Sequence, residues 1–93
     1  MILDLMPGQL VRSLAGRDKG KHYLVLETLD HKHVLLVDGR SRPVERPKKK
    51  NVAHLQHYER RAKPDDFSKL TDNQVISYLS ELIPENGTPS EEV

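Results

Sequence analysis

The chain has 93 residues, room for one small domain and a tail but too few for two independent cores. Its formal net charge of +1 hides an asymmetry: residues 1–64 carry 14 basic and 7 acidic side chains, net +7, whereas 65–93 carry 1 and 7, net −6. Leu, Ile, Val and Phe number 25, above the roughly 20% level below which a chain usually stays unfolded, while the absence of cysteine excludes disulfides and thiolate metal sites as staples for the core.

The first six residues, Met1-Ile2-Leu3-Asp4-Leu5-Met6, form an N-terminal extension too short and too acidic for a secretion signal. No apolar run exceeds four residues, too short to span a membrane, and the chain reads as soluble and cytoplasmic. Leu10, Val11 and Leu14 alternate loosely with Gln9, Arg12 and Ser13 between Gly8 and Gly16, which suits a short half-exposed strand. Gly16-Arg17-Asp18-Lys19-Gly20 is turn chemistry with room for positive backbone angles. Tyr23-Leu24-Val25-Leu26 is apolar on both faces, as a buried or barrel strand would be. Asp30-His31-Lys32 interrupts the pattern, Val34-Leu35-Leu36-Val37 repeats it, and Asp38-Gly39 ends it, so a hairpin is expected here.

Arg40-Ser41-Arg42-Pro43-Val44-Glu45-Arg46-Pro47 cannot be helical, since two prolines remove donors and restrict the residues before them. Val52-Ala53-His54-Leu55-Gln56 supplies a last short strand. Four or five short strands within about 50 positions point to a mainly β fold, a small SH3-like barrel over residues 7–57. Residues 58–70 read as a polar linker around Pro64-Asp65-Asp66. Thr71-Asp72-Asn73-Gln74 has capping-box spacing, and Val75, Ile76, Leu79, Leu82 and Ile83 follow at helical period until Pro84, giving an amphipathic helix over 71–83. Its stripe must cover either the barrel or a partner. The acidic residues 84–93 have no apolar period and are expected to be disordered.

The stretch from Gly8 through Gly16-Arg17-Asp18-Lys19-Gly20-Lys21 to Val25 resembles the KOW motif, a strand, basic glycine loop and strand found in ribosomal proteins and transcription-elongation factors. Through Val37-Asp38-Gly39 and the basic run to Gln56, the chain is similar to the archaeal and eukaryotic large-subunit ribosomal proteins numbered fourteen and to short bacterial KOW-domain relatives. Many KOW motifs have a second glycine where this chain has His22. The resemblance implies an SH3-like barrel that binds RNA, with ribosomal RNA of the large subunit as the expected partner, and a protein that is monomeric when free.

The residues support this reading by themselves. Arg17, Lys19 and Lys21 sit on a glycine-bounded turn where amides and cations could meet a phosphate, the alternative being a tight turn with solvated charges. Arg40, Arg42, Arg46, Lys48, Lys49 and Lys50 place six cations in eleven residues opposed only by Glu45, a density best explained by a polyanion. With Tyr23, Tyr58, Phe67 and Tyr78 as its only aromatics, the chain has no platform for stacking single-stranded bases, so backbone and shape recognition of structured RNA is expected. The competing reading is a protein-interaction module of the transcription or translation machinery that docks a partner through Val75, Ile76, Leu79, Leu82 and Ile83. The histidine pairs His31/His33 and His54/His57 lack further ligands for a metal, and neither a cofactor motif nor paired carboxylates with the spacing of an enzyme are present.

Overall fold

A computed structural model describes residues 5–84, leaving the first four residues and most of the acidic segment expected at the C-terminus outside the described residues. Five strands form one antiparallel sheet: β1 (Gln9–Ser13), β2 (His22–Thr28), β3 (His33–Val37), β4 (Lys48–Asn51) and β5 (Leu55–Arg61). Their order is β4-β3-β2-β1-β5. A 3-10 turn, Val52–His54, joins the two edge strands, and no ladder pairs β4 with β5, so the sheet is open. Register shifts between Gln9 and Val11 and between Val25 and Glu27 interrupt the β1–β5 and β2–β3 ladders. Irregularities of this kind bend a strand and strengthen its twist.

The central strands are apolar on both faces because both faces are covered. On one side Leu5, Val11, Tyr23, Val25, Val34, Leu36 and Leu55 form one cluster. On the other, Leu10, Leu24 and Val37 meet Tyr58, Ala62 and Leu70 and the helix residues Val75 and Leu79. Neighbours in sequence thus belong to opposite cores, as the two-residue period of a strand requires. Leu5, read from the sequence as part of an extension, belongs to the first core, where it is buried.

The helix α1 (Asp72–Leu82) starts as its sequence predicts: the Gln74 amide donates to Thr71 Oγ1 at 3.2 Å, and the Thr71 amide donates to Gln74 Oε1 at 3.0 Å. Its stripe lies against its own sheet. Val75 and Leu79 are buried, with Tyr78, Leu82 and Ile83 packed against the same cluster. Burying two such side chains stabilises the fold by about 3 to 6 kcal/mol. At the far end, Arg60 Nη1 donates to the Leu82 carbonyl at 2.8 Å, filling an acceptor that the helix terminus leaves open.

The expected linker over 58–70 is mostly part of the domain. β5 runs to Arg61, the Ala62 amide donates to the Gly8 carbonyl at 2.8 Å, and Asp66 caps a second 3-10 turn, Phe67–Lys69. Tyr58, Ala62 and Leu70 are buried. Gln9 Nε2 and Arg61 Nε hold the end of β5 to the start of β1 through the carbonyls of Tyr58 (2.9 Å) and Pro7 (3.1 Å). Polar composition suggested a linker because β5 is an edge strand, whose outward side chains need no core.

Candidate nucleic-acid interface

Two loops and one edge strand bring the basic residues together. The first loop, between β1 and β2, is an ordered turn: the Lys19, Gly20 and Lys21 amides donate to the carbonyls of Gly16, Ser13 and Asp18 at 3.3, 2.8 and 2.9 Å. Gly16 and Gly20 take φ of 86° and 91°, the left-handed region expected of them. These three amides are spent inside the loop. What the loop presents is its cations, with Arg17, Lys19 and Lys21 all exposed.

The second loop, between β3 and β4, is organised by Asp38. Its carboxylate accepts from the Arg40 and Arg42 amides at 2.9 and 2.8 Å and from Ser41 Oγ at 2.9 Å. Burial alone would raise the Asp38 pKa, but these bonds and the Lys21 ammonium outweigh it and hold it below the ordinary carboxylate value. Gly39, at φ 80°, lets the turn press on α1: a Cβ there would stand 2.6 Å from the Asp72 carbonyl oxygen and 2.9 Å from Ile76 Cγ1. Asp72 Oδ1 accepts from the Val44 amide at 2.8 Å, a second tie between loop and helix. Lys21 links the two loops, its Nζ donating to Ser41 Oγ at 3.0 Å and lying 3.4 Å from Asp38 Oδ2.

Lys48, Lys49 and Lys50, to which the sequence assigned no element, form β4, opposite Leu36, Leu35 and Val34. Alternation then divides them. Lys48 and Lys50 take the face of the buried Leu36 and Val34, and Lys49 takes the other face and is exposed. Inward-pointing lysines on an edge strand also protect it from pairing with other chains.

Both inner lysines meet Asp18. Its Oδ1 accepts from Ser13 Oγ at 2.8 Å and from Lys50 Nζ at 3.2 Å; its Oδ2 accepts from the Tyr23 hydroxyl at 2.9 Å and lies 3.5 Å from Lys48 Nζ. Burial pushes the Asp18 carboxyl up, yet the bonds from Ser13, Tyr23 and Lys50 prevail and hold it well below the usual range. Burial, reinforced by the bond to Asp18, pushes the Tyr23 phenol well above its ordinary value.

Above this network opens a cleft of about 340 Å³ lined by Arg17, Asp18, Lys21, Tyr23, Ser41, Arg42 and Lys48. Four cations from three separate stretches of chain surround it, and its one carboxylate already has four partners. Lys19, Arg40, Arg46 and Lys49 are exposed outside the lining. Lys50 lies beneath, its side chain 11% exposed, with a further bond from Nζ to the Ala15 carbonyl at 3.1 Å. Asp18, Tyr23, Asp38 and Ser41 were not among the binding residues expected from the sequence. For Asp18 the available signal was an acid alone in a basic loop, whereas its lysine partners lie 30 and 32 positions on.

Tyr23 and Tyr58 are buried, and Phe67 and Tyr78 are half-buried against the helix-side core. The His33 ring is held by Asp30 at 3.2 Å, and among the described residues no three His, Cys, Asp or Glu side chains gather as a metal group. No helix among them is long and apolar enough to cross a membrane. No family model matches the chain, and no curated protein matches it.

Proposed function

We propose that this chain is a KOW-type, SH3-like barrel that binds structured RNA, ribosomal RNA of the large subunit in the first instance, by its sugar-phosphate backbone. The observation that carries the reading is the cleft ringed by Arg17, Lys21, Arg42 and Lys48, whose single lining carboxylate, Asp18, is balanced from beneath by Lys50. Cations so placed match phosphates, the arginines adding bidentate geometry and the lysines point charges. The exposed Lys19, Arg40, Arg46 and Lys49 extend the positive surface around it.

The strand order, with a 3-10 turn between the two edge strands, supports the barrel reading, as does the glycine-bounded basic loop between β1 and β2. Burial of Tyr23 and Tyr58 favours duplex or folded RNA over splayed single strands. The helix stripe, being engaged by its own sheet, gives no support to partner docking through Val75 or Leu79.

Salt titration of binding to a folded fragment of large-subunit RNA tests the proposal. Four to six neutralised phosphates give a log-log slope of about −3 to −5, and an Arg17→Ala/Arg42→Ala double variant flattens it by about 1.4 to 1.8. A wild-type slope near zero refutes the reading.

A further inference from the structure

We propose that Asp18 divides the work of the two inner lysines of β4: it keeps Lys50 as an internal structural cation and lends Lys48 to the RNA as an exchangeable one. This inference rests on the RNA-backbone reading above and specifies how the same cleft is tuned.

The division follows from what each ammonium would leave behind. Lys50 Nζ is held by two acceptors, Asp18 Oδ1 at 3.2 Å and the Ala15 carbonyl at 3.1 Å, and its side chain is almost wholly buried. Ser13 Oγ also lies 3.0 Å from the Ala15 carbonyl and 2.8 Å from Asp18 Oδ1, but its single proton can serve only one of them, so turning Lys50 outward leaves the other acceptor short and reopens the seam between β4 and the β1–β2 loop. Lys48 is different. Its Nζ lies 3.5 Å from Asp18 Oδ2, a longer and weaker pairing, and its side chain is 27% exposed on the cleft lining. When Lys48 swings to a phosphate, Oδ2 keeps the Tyr23 hydroxyl at 2.9 Å and Oδ1 keeps Ser13 and Lys50, so no buried carboxylate oxygen is orphaned. Asp18 therefore releases one lysine at little loss and retains the other. Three consecutive lysines thus act in three ways: Lys49 outward, Lys48 exchanged, Lys50 retained.

The consequence is a limit on affinity set from inside the protein. Each cation that joins the phosphate count changes the salt slope by about 0.7 to 0.9, equal to about 5- to 8-fold in affinity for each tenfold change in salt. Asp18 withholds Lys50 from that count and competes with the RNA for Lys48.

The test is salt titration of the full chain with the same folded RNA, alongside thermal unfolding, for K48Q, K50Q and D18N. K48Q flattens the slope by about 0.7 to 0.9 with little loss of melting temperature. K50Q leaves the slope unchanged and lowers the melting temperature. D18N steepens the slope and tightens binding at low salt although the protein is less stable, a combination that mere loss of structure cannot produce. Equal flattening by K48Q and K50Q overturns the inference, as does a folded D18N with weaker binding. Should D18N not fold, the two lysine variants decide the question. Wild-type protein with no salt-dependent binding overturns the RNA reading and this inference with it, whereas salt-dependent binding with the two lysine variants alike overturns only the division between them.

Discussion

Truncating Leu79 to alanine measures how far the domain depends on its helix. Leu79 is 7% exposed and sits in the cluster that joins α1 to Leu10, Leu24, Val37, Tyr58 and Ala62. The change removes three carbons, about 2.4 kcal/mol of transfer free energy at 0.8 kcal/mol each. A cavity term adds to this, because α1 is pinned at its start by the Thr71–Gln74 capping box and at its end by Arg60 and cannot easily collapse onto the gap. About 3 kcal/mol is expected in total, against a whole-domain stability of about 5 to 14 kcal/mol for a chain of this length. For a domain of this size, 1 kcal/mol shifts the melting temperature by about 4 to 8 °C, so Leu79→Ala should lower it by about 12 to 24 °C. Circular dichroism melts of the wild type, Leu79→Ala and the exposed control Ser77→Ala at one pH make the measurement. The control should stay within about 0.5 kcal/mol. A Leu79→Ala melt within about 2 °C of wild type would refute the packing argument and return the stripe to a partner.

Gly39→Ala should destabilise by more than about 2 kcal/mol, since the new methyl meets the Asp72 carbonyl and Ile76 at a positive φ that alanine resists; an unchanged urea midpoint would contradict this. Thr71→Ala removes one half of the capping box and should cost about 1 kcal/mol, read as a drop of about 4 to 8 °C, and no drop would mean that the box carries no weight. Acid should weaken the fold through Asp18 and Asp38. Both have folded-state pKa values below the ordinary 3.8, so the unfolded chain binds protons first and stability is lost as pH falls through about 4 and below. Melting temperatures at pH 6 and pH 3 should differ in the wild type and differ less in D18N; equal values in the wild type would show that neither carboxylate is stabilised by folding.

Much of the fold was legible because it is written in short-range chemistry. The capping box is a property of four consecutive residues, and both hydrogen bonds form as spaced. Asp38-Gly39 signals a turn because the carboxylate can reach amides two and four positions on and glycine accepts the positive φ. Leu24 and Val25 read as buried on both faces and are. The end of the sheet was misjudged for an equally physical reason. Glu59, Arg60 and Arg61 carry no apolar alternation, and β5 persists through them because β1 supplies its ladder and α1 and Pro7 supply acceptors for the two arginines.

The basic residues themselves were plain in the sequence, but their separate fates were not. A run of three lysines has one composition and three environments, decided by strand alternation and by Asp18, 30 positions before Lys48 and 32 before Lys50, which folding brings beneath it. By itself the sequence determined the main turns, the helix cap, the first three strands and the basic character of residues 1–64, because those depend on neighbours along the chain. Only the tertiary structure decided which sheet face the helix covers and which cations are left to face a ligand, because each depends on groups that meet only when the chain is folded.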